Sequence, residues 1–126
     1  MIFERKRKIL LVDDEPALLM ALKIRLEANG FNILEASDGQ MALDKAMADK
    51  PDLIILDVML PKIDGYAICK TLKTDASKKT IPIIILSARA QTEDAQKAKE
   101  AGADAYLTKP IKSDILLAKV NELLKK

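Results

Sequence analysis

Apolar residues along this chain form short continuous runs that alternate with longer segments of mixed polarity. Three runs are aliphatic and too short for helices, which is typical of strands buried on both faces. Two weaker runs alternate more between apolar and polar residues, as strands nearer the edges of a sheet do. The predicted strands are 9–12, 31–36, 53–56, 81–86 and 103–108.

Each predicted strand is followed by a segment in which apolar residues recur at helical spacing. The helices are expected near residues 18–26, 41–46, 66–72, 95–101 and 115–124. Pro16 suits a first helical turn, Asn29, Gly30 and Gly102 suit helix ends, and Ser113 can cap the fifth helix. This alternation predicts an α/β fold in which helices cover both faces of a five-stranded parallel sheet.

Length and charge limit the classes of function. The chain has 126 residues, 49% of them hydrophobic and 32% charged, which predicts one globular domain spanning 1–126 with no output domain. Its net charge of +2 gives no large field for binding nucleic acid. The basic run at 5–8 is interpreted as the end of a solvated tail, residues 1–7, that leads into the first strand, without a nucleic-acid or membrane role.

Cysteine and histidine usage narrows the chemistry further. Cys69 is the single cysteine, which excludes an internal disulfide, and its helical neighbours favour a buried structural thiol. No signal peptide is recognisable, so a cytoplasmic protein is expected. The chain has no histidine, which removes histidine triads, histidine metal sites and phosphohistidine carriers and leaves oxygen ligands for any metal.

Charged and hydroxyl side chains follow several of the predicted strands. Asp13 and Asp14 come directly after the first strand, Asp57 ends the third, Ser87 ends the fourth and Lys109 follows the fifth. The carboxyl ends of parallel strands converge on one crevice, so these groups are expected to be neighbours. Adjacent carboxylates repel each other unless a cation relieves them, and Mg²⁺ prefers such oxygen ligands.

Each of these residues also has an ordinary structural interpretation. Asp13 and Asp14 could begin a helix, Asp57 could shape a turn, Ser87 could cap a helix and Lys109 could be a surface lysine. Their coincidence at four strand ends favours a site instead. A carboxylate beside a cation can attack phosphorus and form an acyl phosphate, with Lys109 and Ser87 stabilising the transferred group.

With these residues in place, the chain resembles a response-regulator receiver domain, the phosphoacceptor of two-component signalling. The resemblance covers nearly the whole chain through four segments in the family's order, LLVDDEP, LIILDVMLPKIDG, PIIILSA and GADAYLTKP. It implies a doubly wound, flavodoxin-like three-layer sandwich with strand order 2-1-3-4-5, an order for which a member of this family is the standard example.

The resemblance also implies a role for each site residue. Asp57 would be phosphorylated. Asp13, Asp14, Asp57 and the backbone carbonyl of Met59 would hold Mg²⁺, with Mn²⁺ as a substitute, while Lys109 and Ser87 would contact the phosphoryl group. The Lys109–Pro110 peptide would be cis.

Switching and partners follow from the same resemblance. Ser87 would move towards the phosphoryl group and Tyr106 would rotate; the less favoured alternative is that Tyr106 is an ordinary half-buried tyrosine. Met59 and Arg89 would tune the phosphorylated lifetime. The phosphoryl donor would be a histidine kinase or histidine phosphotransfer protein. The surface of helix 4, strand 5 and helix 5 would bind a downstream target or a second copy of the chain.

Three other functions are compatible with parts of the pattern. A haloacid-dehalogenase-like phosphatase uses a similar aspartate, but it needs a second acid where this chain has Met59. A flavin carrier needs a hydroxyl-rich loop after the first strand, where this chain has Asp13, Asp14 and Glu15. A receiver-like scaffold that no longer accepts phosphate is the third alternative, and the intact set of acids argues against it.

Overall fold

Five strands and five helices alternate in the part of the chain that the computed structural model describes, residues 6–60, 63–88 and 92–125. The strands are β1 Lys8–Val12, β2 Asn32–Ala36, β3 Leu53–Asp57, β4 Ile83–Ser87 and β5 Ala105–Thr108. The helices are α1 Pro16–Ala28, α2 Gly39–Asp49, α3 Gly65–Lys73, α4 Thr92–Glu100 and α5 Ser113–Leu124. Residues 1–5 of the predicted basic tail lie outside the described residues.

The strands form one parallel sheet in the order β2-β1-β3-β4-β5, which confirms the predicted fold. Every residue of β3 and β4 is buried, whereas the edge strands β2 and β5 are mostly half-buried. Since successive side chains of a strand point to opposite faces, the sheet divides the core in two. One core packs under α1 and α5, and the other packs under α2, α3 and α4.

Three strands begin one or two residues later than predicted, and hydrogen bonding explains why. The N–H groups of Phe31 and Ala103 donate to Leu26 and Ala98, closing the ends of α1 and α4, so they are not free to begin a strand. The N–H of Ile81 donates to Lys78 in a turn, and Pro82 has no N–H to donate.

Helix ends follow the predicted glycines, but one predicted cap is wrong. Gly30 and Gly102 both have φ of 91°, the left-handed conformation that ends a helix. Ser113 does not cap α5, because it is the first helical residue and the extended residue before it is Lys112. The side chains of Asp38 and Asp64 cap α2 and α3 instead, each accepting a hydrogen bond from a backbone N–H of the first turn.

Cys69 is fully buried, as predicted, and its thiol donates to the backbone oxygen of Ala101 at 3.5 Å. Burial raises the pKa of this thiol from 9.0 to about 11. The neutral thiol therefore stabilises the fold fully below pH 9, and this contribution is lost as the pH rises through the folded pKa.

We expect Cys69 in the folded protein at pH 8 to react with a thiol-exchange reagent at least about 100-fold more slowly than in the unfolded chain. Only the thiolate attacks, and two pKa units reduce its population about 100-fold before burial limits access. The rates can be compared in buffer and in guanidinium chloride. Equal rates in the two conditions would show that the thiol is accessible.

Candidate metal centre

Three carboxylates meet at the carboxyl ends of β1 and β3. Asp13 and Asp14 directly follow β1, and Asp57 is the last residue of β3. One carboxylate oxygen from each of the three lies within 4.8 Å of the others. Asp13 and Asp57 are each only 3% exposed, whereas Asp14 is exposed, so the cluster has a buried side and an open side.

Backbone hydrogen bonds hold the two buried carboxylates in place. The N–H of Asp13 donates to Ala36 at 3.1 Å, which continues the β1–β2 ladder to the site. The Oδ1 of Asp13 accepts from the N–H of Glu15 at 3.0 Å, and the Oδ1 of Asp57 accepts from that of Met59 at 3.3 Å. Each carboxylate is thus oriented by the residue two positions after it.

Lys109 reaches these acids from the carboxyl end of β5, the edge strand on the other side of β4. It directly follows β5, its N–H donates to the backbone oxygen of Ser87 at 2.7 Å, and its peptide bond to Pro110 is cis. Its Nζ lies 2.8 Å from Oδ2 of Asp13, 3.5 Å from Oδ1 of Asp57 and 3.5 Å from Oε1 of Glu15. One ammonium group therefore contacts three carboxylates.

The charges at this site do not balance. Burial and the neighbouring charge of Asp13 raise the pKa of Asp57, although Lys109 and the Met59 N–H partly oppose this. Burial lowers the pKa of Lys109, but the hydrogen bond to Asp13 and the charges of Asp13, Asp57 and Glu15 together outweigh that effect, so the pKa is raised overall. Lys109 is thus held as a cation, while the carboxylates retain an excess of negative charge.

A hard divalent cation fits the remaining charge. Three carboxylate oxygens are the ligands that Mg²⁺ or Ca²⁺ prefers, whereas soft metals prefer sulfur or imidazole. Mg²⁺ usually keeps several water ligands, and the open side at Asp14 leaves room for them. Asp13, Asp14 and Asp57 are therefore the residues that could hold the ion.

Gly65 allows α3 to begin directly against the end of β3. Its N–H donates to the backbone oxygen of Val58 at 2.9 Å. A Cβ at this position would lie 2.4 Å from the backbone oxygen of Asp57 and 2.8 Å from Cα of Val58. Real Cβ atoms do not approach backbone so closely, so the backbone of Asp57 keeps its position only with glycine here.

The other predicted site residues that the structure describes are Ser87, Tyr106 and Met59. Ser87 is buried at the end of β4, opposite Thr108 of β5. Tyr106 is half-buried in β5, opposite Ile85, and packs against the core beneath α2, α3 and α4. Ile85 and Ser87 are two residues apart in β4, so their side chains point to the same face of the sheet. Tyr106 pairs with Ile85, so Ser87 and Tyr106 point towards the same helices. Met59 is 56% exposed, and Arg89 lies outside the described residues.

Two residues of the site were not predicted from the sequence. Glu15 contacts Lys109, and its only signal was a third consecutive acid after Asp13 and Asp14. The sequence marks Gly65 only as a turn residue, because a close approach of backbone atoms leaves no pattern in a single sequence.

The protein-family model of the response regulator receiver domain matches residues 9–121 of this chain, a span that includes all three acids and Lys109. The chain belongs to this family. A receiver domain is a signalling phosphoacceptor, so the phosphatase and flavin-carrier interpretations are set aside.

Relatives and solved structures agree with this membership. The alkaline phosphatase synthesis transcriptional regulatory protein PhoP of Bacillus subtilis (strain 168) is 44% identical over 120 residues, which are 95% of this chain and 49% of that protein. The chain thus spans about half the length of the curated relatives it matches. Chemotaxis protein CheY4 of Vibrio cholerae has a TM-score of 0.89 and 31% identity, with 95% of this chain and 100% of that one covered.

A second solved structure is described as the BeF3-activated DrrB receiver domain. It matches with a TM-score of 0.87 and 33% identity, and the comparison covers 97% of this receiver domain and 100% of that chain.

As for membranes, none of the helices in the described parts of this chain has both the length and the apolar character needed to cross one.

Proposed function

We propose that this receiver domain accepts a phosphoryl group on Asp57 in a reaction that requires a divalent cation. The observation that carries the proposal is the meeting of Asp13, Asp14 and Asp57 within 4.8 Å, with Lys109 in contact with two of them. Asp13 and Asp57 are both buried, and each has an oxygen held by a backbone N–H. Asp13 has the shorter ion pair with Lys109, 2.8 Å against 3.5 Å, so Asp57 is the less tightly paired of the two and is assigned as the nucleophile.

In the proposed step, a carboxylate oxygen of Asp57 forms a bond to the phosphorus of a phosphohistidine. The bond between phosphorus and the imidazole nitrogen breaks, and that nitrogen keeps the electron pair. The phosphoryl group thereby becomes an acyl phosphate on Asp57. Because phosphoryl transfer depends mainly on positioning and electrostatic stabilisation, the fixed charges around Asp57 would supply most of the rate.

The cation proposed for the site is Mg²⁺, which Mn²⁺ could replace. Asp13, Asp14, Asp57 and the backbone carbonyl of Met59 would hold it. When bound, it would neutralise charge on the phosphoryl oxygens and relieve the repulsion between the acids. Lys109 would then contact the phosphoryl group, for which its position 3.5 Å from Asp57 is suitable.

Phosphorylation is proposed to change the surface formed by α4, β5 and α5. Ser87 would donate a hydrogen bond to the phosphoryl group, and Tyr106 would respond because the two residues point to the same side of the sheet. Met59, exposed two residues after Asp57, would tune the lifetime of the phosphoryl group, as would Arg89.

Partners are proposed from the family. The donor would be a histidine kinase or a histidine phosphotransfer protein, and the α4–β5–α5 surface would bind a downstream target or a second copy of the chain. PhoP of Bacillus subtilis is named a transcriptional regulatory protein, and half of its length lies outside the match. That this chain does not itself bind nucleic acid stays a prediction, supported by its net charge of +2.

The test of this function is labelling of the purified protein with a small phosphoryl donor. We expect acetyl phosphate with Mg²⁺ to give an adduct with the mass of one phosphoryl group, stable in acid and labile in base. The matched reaction in excess EDTA should give none. Failure of acetyl phosphate and of every phosphohistidine donor to label the protein would favour a phosphorylation-independent scaffold.

Beryllofluoride offers a non-covalent version of the same test. A receiver domain activated by BeF3 is among the structural neighbours, and we infer that beryllofluoride with Mg²⁺ would bind here at Asp57. Binding can be followed through the backbone amide resonances of residues around Asp57.

Replacing Asp14 with alanine is expected to weaken Mg²⁺ binding about tenfold or more, because one of three carboxylate ligands is lost. Asp14 is the informative choice, since Asp13 also contacts Lys109 and the Glu15 N–H. Isothermal titration with Mg²⁺ measures the change. The control is Asp44→Ala, which removes an exposed carboxylate from α2. Equal Mg²⁺ affinity in the two variants would remove Asp14 from the site.

A further inference from the structure

Glu15 lies in the position of the helix cap of α1, yet its side chain makes no capping hydrogen bond. Its Oε1 instead lies 3.5 Å from Nζ of Lys109. The Glu15 side chain is 64% exposed, whereas that of Lys109 is 13% exposed. An exposed carboxylate therefore contacts Lys109, the residue that the proposed function assigns to the phosphoryl group.

We propose that Glu15 is a positioning residue that competes with the phosphoryl group on Asp57 for Lys109. This inference rests on the function proposed above. In a fraction of the molecules, Glu15 would hold the ammonium group of Lys109 towards the solvent side of the site. Phosphorylation would have to displace that contact before Lys109 could bind the phosphoryl oxygens.

The competition follows from the partners of Lys109. Its shortest contact, 2.8 Å to Asp13, is to a residue that the cation would also bind, so the cation would weaken that ion pair. Glu15 is not part of the cluster formed by the three aspartates within the described residues. With the cation in place, Glu15 therefore remains as the acid that draws Lys109 away from Asp57.

The surroundings of Glu15 support a direct effect on the site. Glu15 and Lys109 line the same surface pocket of about 390 Å³, together with Leu18, Ala88, Pro110 and Ile111. The pocket places the carboxylate beside the Lys109 side chain. Because the contact is exposed, its strength should be modest and should decrease with salt.

The test is beryllofluoride affinity in saturating Mg²⁺ for the wild type and for Glu15→Gln. Glutamine keeps the shape of the side chain and removes its charge. We expect beryllofluoride to bind the variant about two- to fivefold more tightly at low ionic strength, the range for an exposed ion pair. Mg²⁺ affinity without beryllofluoride should change less than the beryllofluoride affinity does.

The matched control is Glu27→Gln, which makes the same charge change at the opposite, exposed end of α1. It should leave beryllofluoride affinity unchanged, and an equal gain in both variants would make the effect one of net charge. Weaker binding of both Mg²⁺ and beryllofluoride to Glu15→Gln would show that Glu15 helps to hold the cation. Unchanged beryllofluoride binding would make the contact with Lys109 incidental, and each of these results overturns the inference.

Failure of the proposed function would give a different result. The wild type itself would then not bind beryllofluoride in the presence of Mg²⁺. A wild type that binds, together with a Glu15 variant that does not bind more tightly, would leave the proposed function intact and remove only the role of Glu15.

Discussion

Replacing Asp57 with asparagine is expected to abolish covalent phosphorylation completely. Asparagine has nearly the same shape and can still accept the hydrogen bond from the Met59 N–H. It lacks, however, the carboxylate oxygen that would form the bond to phosphorus. Intact-protein mass spectrometry after incubation with acetyl phosphate and Mg²⁺ measures the loss.

The matched control is Asp64→Asn, at the start of α3. The side chain of Asp64 caps that helix by accepting from the Ala67 N–H, and asparagine caps a helix about as well as aspartate. This variant should be labelled like the wild type. Labelling of Asp57→Asn at the wild-type level would show that phosphate is attached to another residue.

Replacing Gly65 with alanine is expected to lower the free energy of unfolding by about 2–3 kcal/mol and to slow phosphorylation. The added Cβ would lie 2.4 Å from the backbone oxygen of Asp57, so either α3 or the end of β3 must shift. Overpacking of this kind typically costs about 1–3 kcal/mol. The shift would also displace the carboxylate that has to face the phosphoryl donor. Urea unfolding and the rate of labelling by acetyl phosphate measure the two effects.

Gly30→Ala separates the two consequences. Gly30 also requires glycine, because its φ is 91°, but a Cβ there would meet no atom within 4 Å. Its replacement by alanine should lower the free energy of unfolding by about 1–2 kcal/mol through backbone strain and leave the labelling rate unchanged. If Gly65→Ala proved as stable and as quickly labelled as the wild type, the contact behind Asp57 would have no role in positioning it.

The fold could be predicted from the sequence because its central strands are buried on both faces. The runs of β3 and β4 contain hardly a polar residue, and this distinguishes them from helices and from edge strands. Strand starts were less predictable. Whether Phe31 begins β2 or ends α1 depends on where its N–H donates, and a hydrophobicity pattern does not record that choice.

The closeness of Asp13, Asp57 and Lys109 could be predicted because each stands at the end of a strand. Topology then brings Asp13, Asp57 and Lys109 together, whatever their separation in sequence. Glu15 and Gly65 could not be predicted in the same way. The role of Glu15 depends on how far a flexible side chain reaches, and that of Gly65 depends on how closely a helix approaches a strand.

Arg89 lies outside the described residues, so its influence on the phosphorylated lifetime stays a prediction.

The measurement that tests the central claim most directly is a crystal structure of the protein with Mg²⁺ and beryllofluoride. We predict one metal ion in contact with carboxylate oxygens of Asp13 and Asp57, beryllium bonded to an oxygen of Asp57, and Nζ of Lys109 beside a fluorine atom. A metal ion bound away from these carboxylates, or a beryllofluoride group attached to another residue, would contradict the account.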